Sequence, residues 1–252
     1  MSVSIKSAKE IELMREAGRL LSITHEELGK AIKPGISTYE IDRLGEEIIR
    51  SYGCIPNFLH YNGYPASICT SVNDEVVHGI PSKNRILKEG DIISLDAGLI
   101  YKGYHSDAAR THAVGEVSAE ARRLMDVTKQ CFFEGIKYAK AGNHLHEISA
   151  AIQKFAESNG FGVVRDLVGH GIGAHLHEDP QIPNFKPAGR GLKLRPGMTL
   201  AIEPMITAGH YAVRWLDDDW TVVTKDGSLA SHYENTIVIT EGEPEILTIY
   251  QG

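Results

Sequence analysis

The chain has 252 residues, 42% of them hydrophobic, which is enough for a sizeable core. With 33 acidic against 26 basic residues, the net charge of -7 gives no electrostatic reason to expect specific nucleic acid binding. No apolar run approaches the length that spans a bilayer and the first residues lack a signal-peptide core, so a cytoplasmic protein away from membranes is expected.

A Ser-x-x-Glu capping box at Ser7 and Glu10 opens a helical face through Ile11, Met14, Ala17, Leu20 and Leu21 that runs to about residue 31 and stops at Pro34-Gly35. A second box, Ser37 to Glu40, opens a helix through Ile41, Leu44, Ile48 and Ile49 that ends at Tyr52-Gly53. Residues 55–77 are loop-rich, with one strand near 67–72. Strands are predicted near 92–100 and 108–114, helices over about 118–140 and 144–159, and strands near 199–207, 220–225 and 234–240. Asp226-Gly227 is a tight-turn signal between the last two. The three cysteines, Cys54, Cys69 and Cys131, are odd in number and lack Cys-x-x-Cys spacing, so they read as reduced thiols.

Within residues 90–107, Ile92, Ile93, Leu95, Leu99 and Ile100 have the composition of a buried strand, yet Asp96 interrupts it and Asp107 follows the turn signal Lys102-Gly103. A buried carboxylate costs several kcal/mol unless a proton, a cationic side chain or a metal neutralises it. Leu194-Arg-Pro-Gly-Met-Thr-Leu-Ala-Ile-Glu203 aligns without a gap on Leu87-Lys-Glu-Gly-Asp-Ile-Ile-Ser-Leu-Asp96. At the same register, the segment from Lys33 falls on that from Lys140, and Asp107 has a looser echo in Glu234. Two copies of one helix-helix-hairpin unit are therefore expected, with halves of about 1–115 and 116–252 in one domain. Facing each other, they bring Asp96, Asp107, Glu203 and Glu234 to a shared centre.

Twelve histidines are present, and most read as ordinary core or surface residues. Those in Val168-Gly-His-Gly-Ile-Gly-Ala-His-Leu-His-Glu178 differ, because the glycines let backbone approach a ligand closely. A smaller echo, Val76-Val-His78-Gly-Ile80, precedes the first acidic strand. Four carboxylates and an imidazole suit a pair of divalent ions such as manganese, iron(II), cobalt or zinc, bridged by shared carboxylates. The competing account of the acids is salt bridging to Arg or Lys, but neither Asp96 nor Glu203 has a basic neighbour on its run.

These residues carry a resemblance that covers nearly the whole chain. The stretch from Asn62 to Asn73, Val-Val-His-Gly79, Gly-His-Gly-Ile-Gly173, Ile-Glu-Pro-Met205 and Tyr-Glu-Asn235 resemble the type I methionine aminopeptidases. The resemblance implies an α+β pita-bread fold, a pseudo-two-fold arrangement of antiparallel sheets covered by helices. It also implies a dinuclear metal site held by Asp96, Asp107, His170, Glu203 and Glu234, with Asp107 and Glu234 bridging. Glu203 would take and return the proton of the attacking water, His177 would stabilise the oxyanion, and His78 would orient the peptide. Tyr61, Tyr64, Cys69 and Trp220 would line the methionine pocket. Ser106 and Leu176 depart from the family's common residues, and Leu176 bears on the pocket. The expected substrates are the N-termini of nascent peptides with small second residues, met at the ribosome by a monomeric enzyme. Two alternatives stand beside this reading: an Xaa-Pro-directed aminopeptidase or prolidase of the same fold, and a non-catalytic peptide-binding relative.

Overall fold

Each predicted capping box opens a helix in the computed structural model, which describes residues 3–249. Ser7 caps α1 (Ala8–Ala31) and Ser37 caps α2 (Thr38–Ser51). In both, the serine oxygen accepts from the glutamate N–H three residues on, while that glutamate accepts from the serine N–H. Ser118 caps α3 (Ala119–Ile136), which stops short of the predicted residue 140. There the Tyr138 and Ala139 N–H groups donate to Gly135 and Ile136, a tightening into three-residue turns that ends the helix. The fourth helix, α4 (Leu145–Ser158), lies within its predicted span.

A nine-stranded sheet carries both halves. In the first, Ile92–Tyr101 and Tyr104–Ala113 form a hairpin, and the second strand starts earlier than predicted. Lys102 and Gly103 close it with φ of 48° and 88°, the left-handed pair that a two-residue hairpin turn requires. In the second half, Thr199–Ile202 pairs with Glu234–Val238 on one side and Gly169–Gly171 on the other. The halves meet where Glu234 lies opposite Ala109 and Asn235 opposite Ala108.

Two predicted strands need correction. The run 199–207 is broken after Ile202, because Pro204 has no N–H to continue the ladder, and Met205–Thr207 passes into a separate three-stranded sheet. Asp226-Gly227 does turn the chain, with Gly227 at φ 75°, but the flanking strands Val222–Thr224 and Ala230–His232 belong to different sheets.

The internal repeat extends to individual hydrogen bonds. Gly35 donates to Leu87 O as Gly142 donates to Leu194 O, and both glycines have φ 92°. Ser37 bridges Ile86 as His144 bridges Lys193. Pro56 faces Leu99 as Val163 faces Ile206. Each second contact lies 107 positions after the first. Across the joint the spacing changes: the Thr111 hydroxyl pairs with the His232 N–H and C=O, and the Thr236 hydroxyl with those of Asp107. By the ladder, the counterpart of Asp107 is therefore His232, and that of Glu234 is Ala109, two residues away from the equivalence the sequence suggests. Ser71 faces Ser94 as His170 faces Ala201, so the imidazole of the second half replaces a hydroxyl in the first.

One buried core packs under α1 and α2 around Leu21, Ile41, Ile68 and Leu95; another packs under α3 and α4 around Leu124, Phe132, Ile152 and Ile237. No helix among the described residues is long and apolar enough to cross a membrane. Thr236 ties the core to the joint. Thr236→Val keeps the shape but leaves the buried Asp107 N–H without its partner, so unfolding free energy is expected to fall by about 1–3 kcal/mol in urea titrations.

Candidate metal centre and active site

Asp96 and Asp107 point into one cavity from adjacent strands, Asp96 from the middle of Ile92–Tyr101 and Asp107 from the strand paired with it. Glu203 enters from the break before Pro204, and Glu234 from the first residue of its strand. Asp107 and Glu234 are 4% and 2% exposed, so water cannot solvate their charges. Asp96 Oδ1, Asp107 Oδ1 and Glu234 Oε1 are buried without a hydrogen-bond partner.

Among the described residues, no Lys or Arg forms an ion pair with these four carboxylates. The Arg110 guanidinium is committed instead to the carbonyls of Ala109, Glu234 and Thr248 and to Asn235 Oδ1. Salt bridging therefore does not account for the cluster. Burial pushes the Asp96 pKa up to about 7. Burial and mutual repulsion push Asp107, Glu203 and Glu234 well above the ordinary carboxylate range.

His170 completes the donor set. Its Nδ1 lies 2.8 Å from Gly171 O and donates to it, which fixes the tautomer and leaves the Nε2 lone pair facing the acids. Burial, helped by nearby His177, pulls its pKa down to about 3, so the ring is neutral and free to ligate. Nε2 is 3.8 Å from Asp107 Oδ2 and 3.7 Å from Glu203 Oε1. Those separations are long for hydrogen bonds and suit atoms arranged about one ion at about 2.0–2.2 Å each. Ligand atoms of Asp107, His170 and Glu234 all lie within 4.8 Å of one another. Orphaned carboxylate oxygens and a neutral imidazole thus fit a divalent cation.

The remaining predicted residues line the same cavity of about 170 Å³, together with Phe58, Asn62 and Leu176. His177 Nδ1 lies 2.8 Å from Tyr61 Oη, and its ring centre lies 4.3 Å from that of His170. His78 sits at φ 60°, a conformation that costs energy for a residue with a Cβ and that aims this ring at the cavity. Tyr64 packs edge-on against Trp220 with centroids 5.1 Å apart, and the Tyr64 hydroxyl donates to Gly79 O at 2.9 Å. Cys69 faces Asp96 across the ladder, and all three cysteines are free thiols. Every candidate site residue named from the sequence therefore meets in one place. Phe58 and the adjoining His232 carried no sequence signal, lying outside any metal-like or glycine-rich spacing, and Asn62 stood at the head of the Asn62–Asn73 stretch without a role assigned to it.

A model of metallopeptidase family M24 matches residues 12–241. The chain is 57% identical over 98% of its length to a methionine aminopeptidase of Clostridium acetobutylicum, covering 99% of that protein. The crystal structure of the methionine aminopeptidase of Thermotoga maritima superposes with a TM-score of 0.96 at 46% identity, over 98% of this chain and 100% of that one. The Xaa-Pro dipeptidase of Bacillus anthracis superposes with a TM-score of 0.78 at 26% identity, over 97% of this chain but 61% of that one. The chain belongs to metallopeptidase family M24 and has its pita-bread fold.

Asp96 has a folded pKa above its unfolded one, so in metal-free protein its contribution to stability is present below about pH 4 and lost as pH rises through about 7. The buried histidines titrate in the opposite sense, so the informative quantity is a difference. Metal-free Asp96→Asn is expected to gain thermal stability relative to wild type as pH rises across that interval, and to show a smaller stabilisation by added Mn(II), both measured by calorimetry.

Proposed function

We propose that this member of family M24 removes the N-terminal methionine of peptides and nascent proteins at the cavity of Asp96, Asp107, His170, Glu203 and Glu234. One observation carries the reading: four carboxylates without a Lys or Arg ion pair among the described residues, three of them with a buried oxygen that has no hydrogen-bond partner, share a cavity with a neutral imidazole and the apolar side chains of Phe58, Leu176 and Trp220. The identity and coverage of the methionine aminopeptidase relatives support the same activity, and the enzyme is a metal-dependent hydrolase. The Xaa-Pro-directed alternative has weaker support, from a more distant likeness.

The five donors would hold two divalent ions, manganese, cobalt, iron(II) or zinc, which when bound supply Lewis acidity and lower the pKa of water. Glu203, made more basic by burial, accepts the proton of the attacking water and returns it to the leaving amine. With the Tyr61 hydroxyl donating to Nδ1, His177 carries its proton on Nε2 and offers it to the carbonyl oxygen as negative charge develops there. His78, neutral because burial pulls its pKa down to about 4, orients the peptide beside the scissile bond. Tyr64, Cys69, Trp220 and Tyr61 enclose the methionine side chain, and Leu176 shapes the pocket's rim. A small second residue, a cytoplasmic location, action on emerging chains at the ribosome and a monomeric state belong to the same proposal.

Chelator-stripped protein is expected to cleave a Met-Ala-Ser peptide only after Mn(II), Co(II) or Fe(II) is restored, and to leave a matched Xaa-Pro peptide intact. Cleavage of the Xaa-Pro peptide alone would transfer the protein to the proline-directed branch. Glu203→Gln is expected to keep its fold by circular dichroism while kcat falls by about 10²–10⁴. For His78→Ala the predicted loss is in turnover with metal content unchanged. Reduced metal occupancy in that variant would instead make His78 a ligand.

A further inference from the structure

His232 is a buried imidazole next to the cavity that neither the metal set nor the peptide-binding set employs. It is 1% exposed, and its Nε2 has no hydrogen-bond partner. Orphaned buried nitrogens are uncommon in folded proteins, so the group that Nε2 faces matters. It faces Glu203 Oε2 at 3.9 Å and Glu234 Oε2 at 3.8 Å. Glu203 consequently stands between two imidazoles, with Oε1 turned to His170 and Oε2 to His232.

A second observation is independent of those distances. The ladder makes His232 the pseudo-two-fold counterpart of Asp107, and both of its backbone polar groups are held by the Thr111 hydroxyl. Its neighbour across the sheet is Met205, just beyond the Pro204 break. The root of the side chain is therefore fixed on the face that points to the acids.

We propose that His232 is a positioning residue of the metal centre, whose Nε2–H donates to Glu203 Oε2 and so presents Oε1 to the side where His170 stands. This rests on the reading of the cavity as a methionine-releasing metal centre. A shift of about 0.8 Å in the Glu203 carboxylate brings the pair into hydrogen-bond range. An ordered Glu203 would then hold one oxygen for the ion and a defined direction for proton transfer. Groups that orient metal-binding carboxylates in this way act on affinity as well as rate.

The test uses the full chain, stripped with chelator and titrated with Mn(II) by calorimetry, beside kcat and KM for Met-Ala-Ser and a thermal melt. His232→Ala is expected to weaken Mn(II) binding by about 10–100-fold and to lower kcat with little change in KM. His232→Gln keeps an N–H donor of similar reach and is expected to restore most of both. His232→Asn, whose amide is too short, should behave as Ala and serves if Ala does not fold. Wild-type Mn(II) affinity in the Ala or Asn variant would overturn the proposal. So would a Gln variant as impaired as Ala although both melt at the wild-type temperature, because His232 would then be filling space. If wild type neither binds Mn(II) nor releases methionine, the reading of the cavity falls and takes this inference with it. If wild type does both and the Ala variant is unimpaired, only the role of His232 falls.

Discussion

Four carboxylates line one largely buried cavity in which, among the described residues, no basic side chain pairs with them, and the rest of the structure is arranged so that this is tolerable. The repulsion among Asp96, Asp107, Glu203 and Glu234 cannot be relieved by rotating them into solvent, because each is rooted on or beside a strand of the central sheet. Relief must come from protons or from cations. A chain that folded around these acids without either would carry a penalty comparable with the whole stability of a typical domain. The site and the fold are thus one thermodynamic problem: metal affinity is drawn from strain that the joint between the halves holds in place.

That joint is narrow. In the central sheet, among the described residues, only Glu234 and Asn235 pair directly across it, with Ala109 and Ala108; beyond them the two threonine hydroxyls stitch the strands together, and in a second sheet Val77 and Glu75 pair with Val222 and Val223. Everything needed to aim the donors converges there: the hairpin that carries Asp96 and Asp107, the strand that starts at Glu234, and the Pro204 break that frees Glu203. The break is informative chemically. A glutamate inside a regular ladder has its direction fixed by the pleat, whereas Glu203, one residue past the last paired position, is placed by the turn into the next sheet and by Asn184, which donates to its carbonyl at 2.9 Å.

Much of this was legible in the amino acids because it is local. Capping boxes satisfy backbone groups within one turn, so Ser7 and Ser37 mark their helices without reference to anything distant. The gapless alignment of Asp96 on Glu203 is equally local, since both follow the same glycine turn. What stayed hidden depends on pairing between distant segments. The register of Glu234–Val238 against Tyr104–Ala113 shifts the equivalence of Asp107 by two residues, and nothing in either stretch alone records which pairing wins. His232 falls in that gap. In sequence it is one histidine among twelve, and only the ladder turns it toward the acids. Phe58 and Asn62 reach the cavity from an irregular segment, where periodicity carries no information.

The pairings Asp107 with His232, Ala109 with Glu234 and Ser71 with His170 have a further meaning. A peptide has a direction, and a perfectly two-fold cradle would accept it either way round with equal energy, so half of all encounters would present the wrong end. Each unlike pair removes that degeneracy by placing an imidazole or a carboxylate on one side and a small or different group on the other. The repeated scaffold supplies rigidity from both sides, and the three mismatches at its axis supply polarity. A duplicated chain can therefore read the beginning of another chain because its two copies have ceased to be the same where they touch.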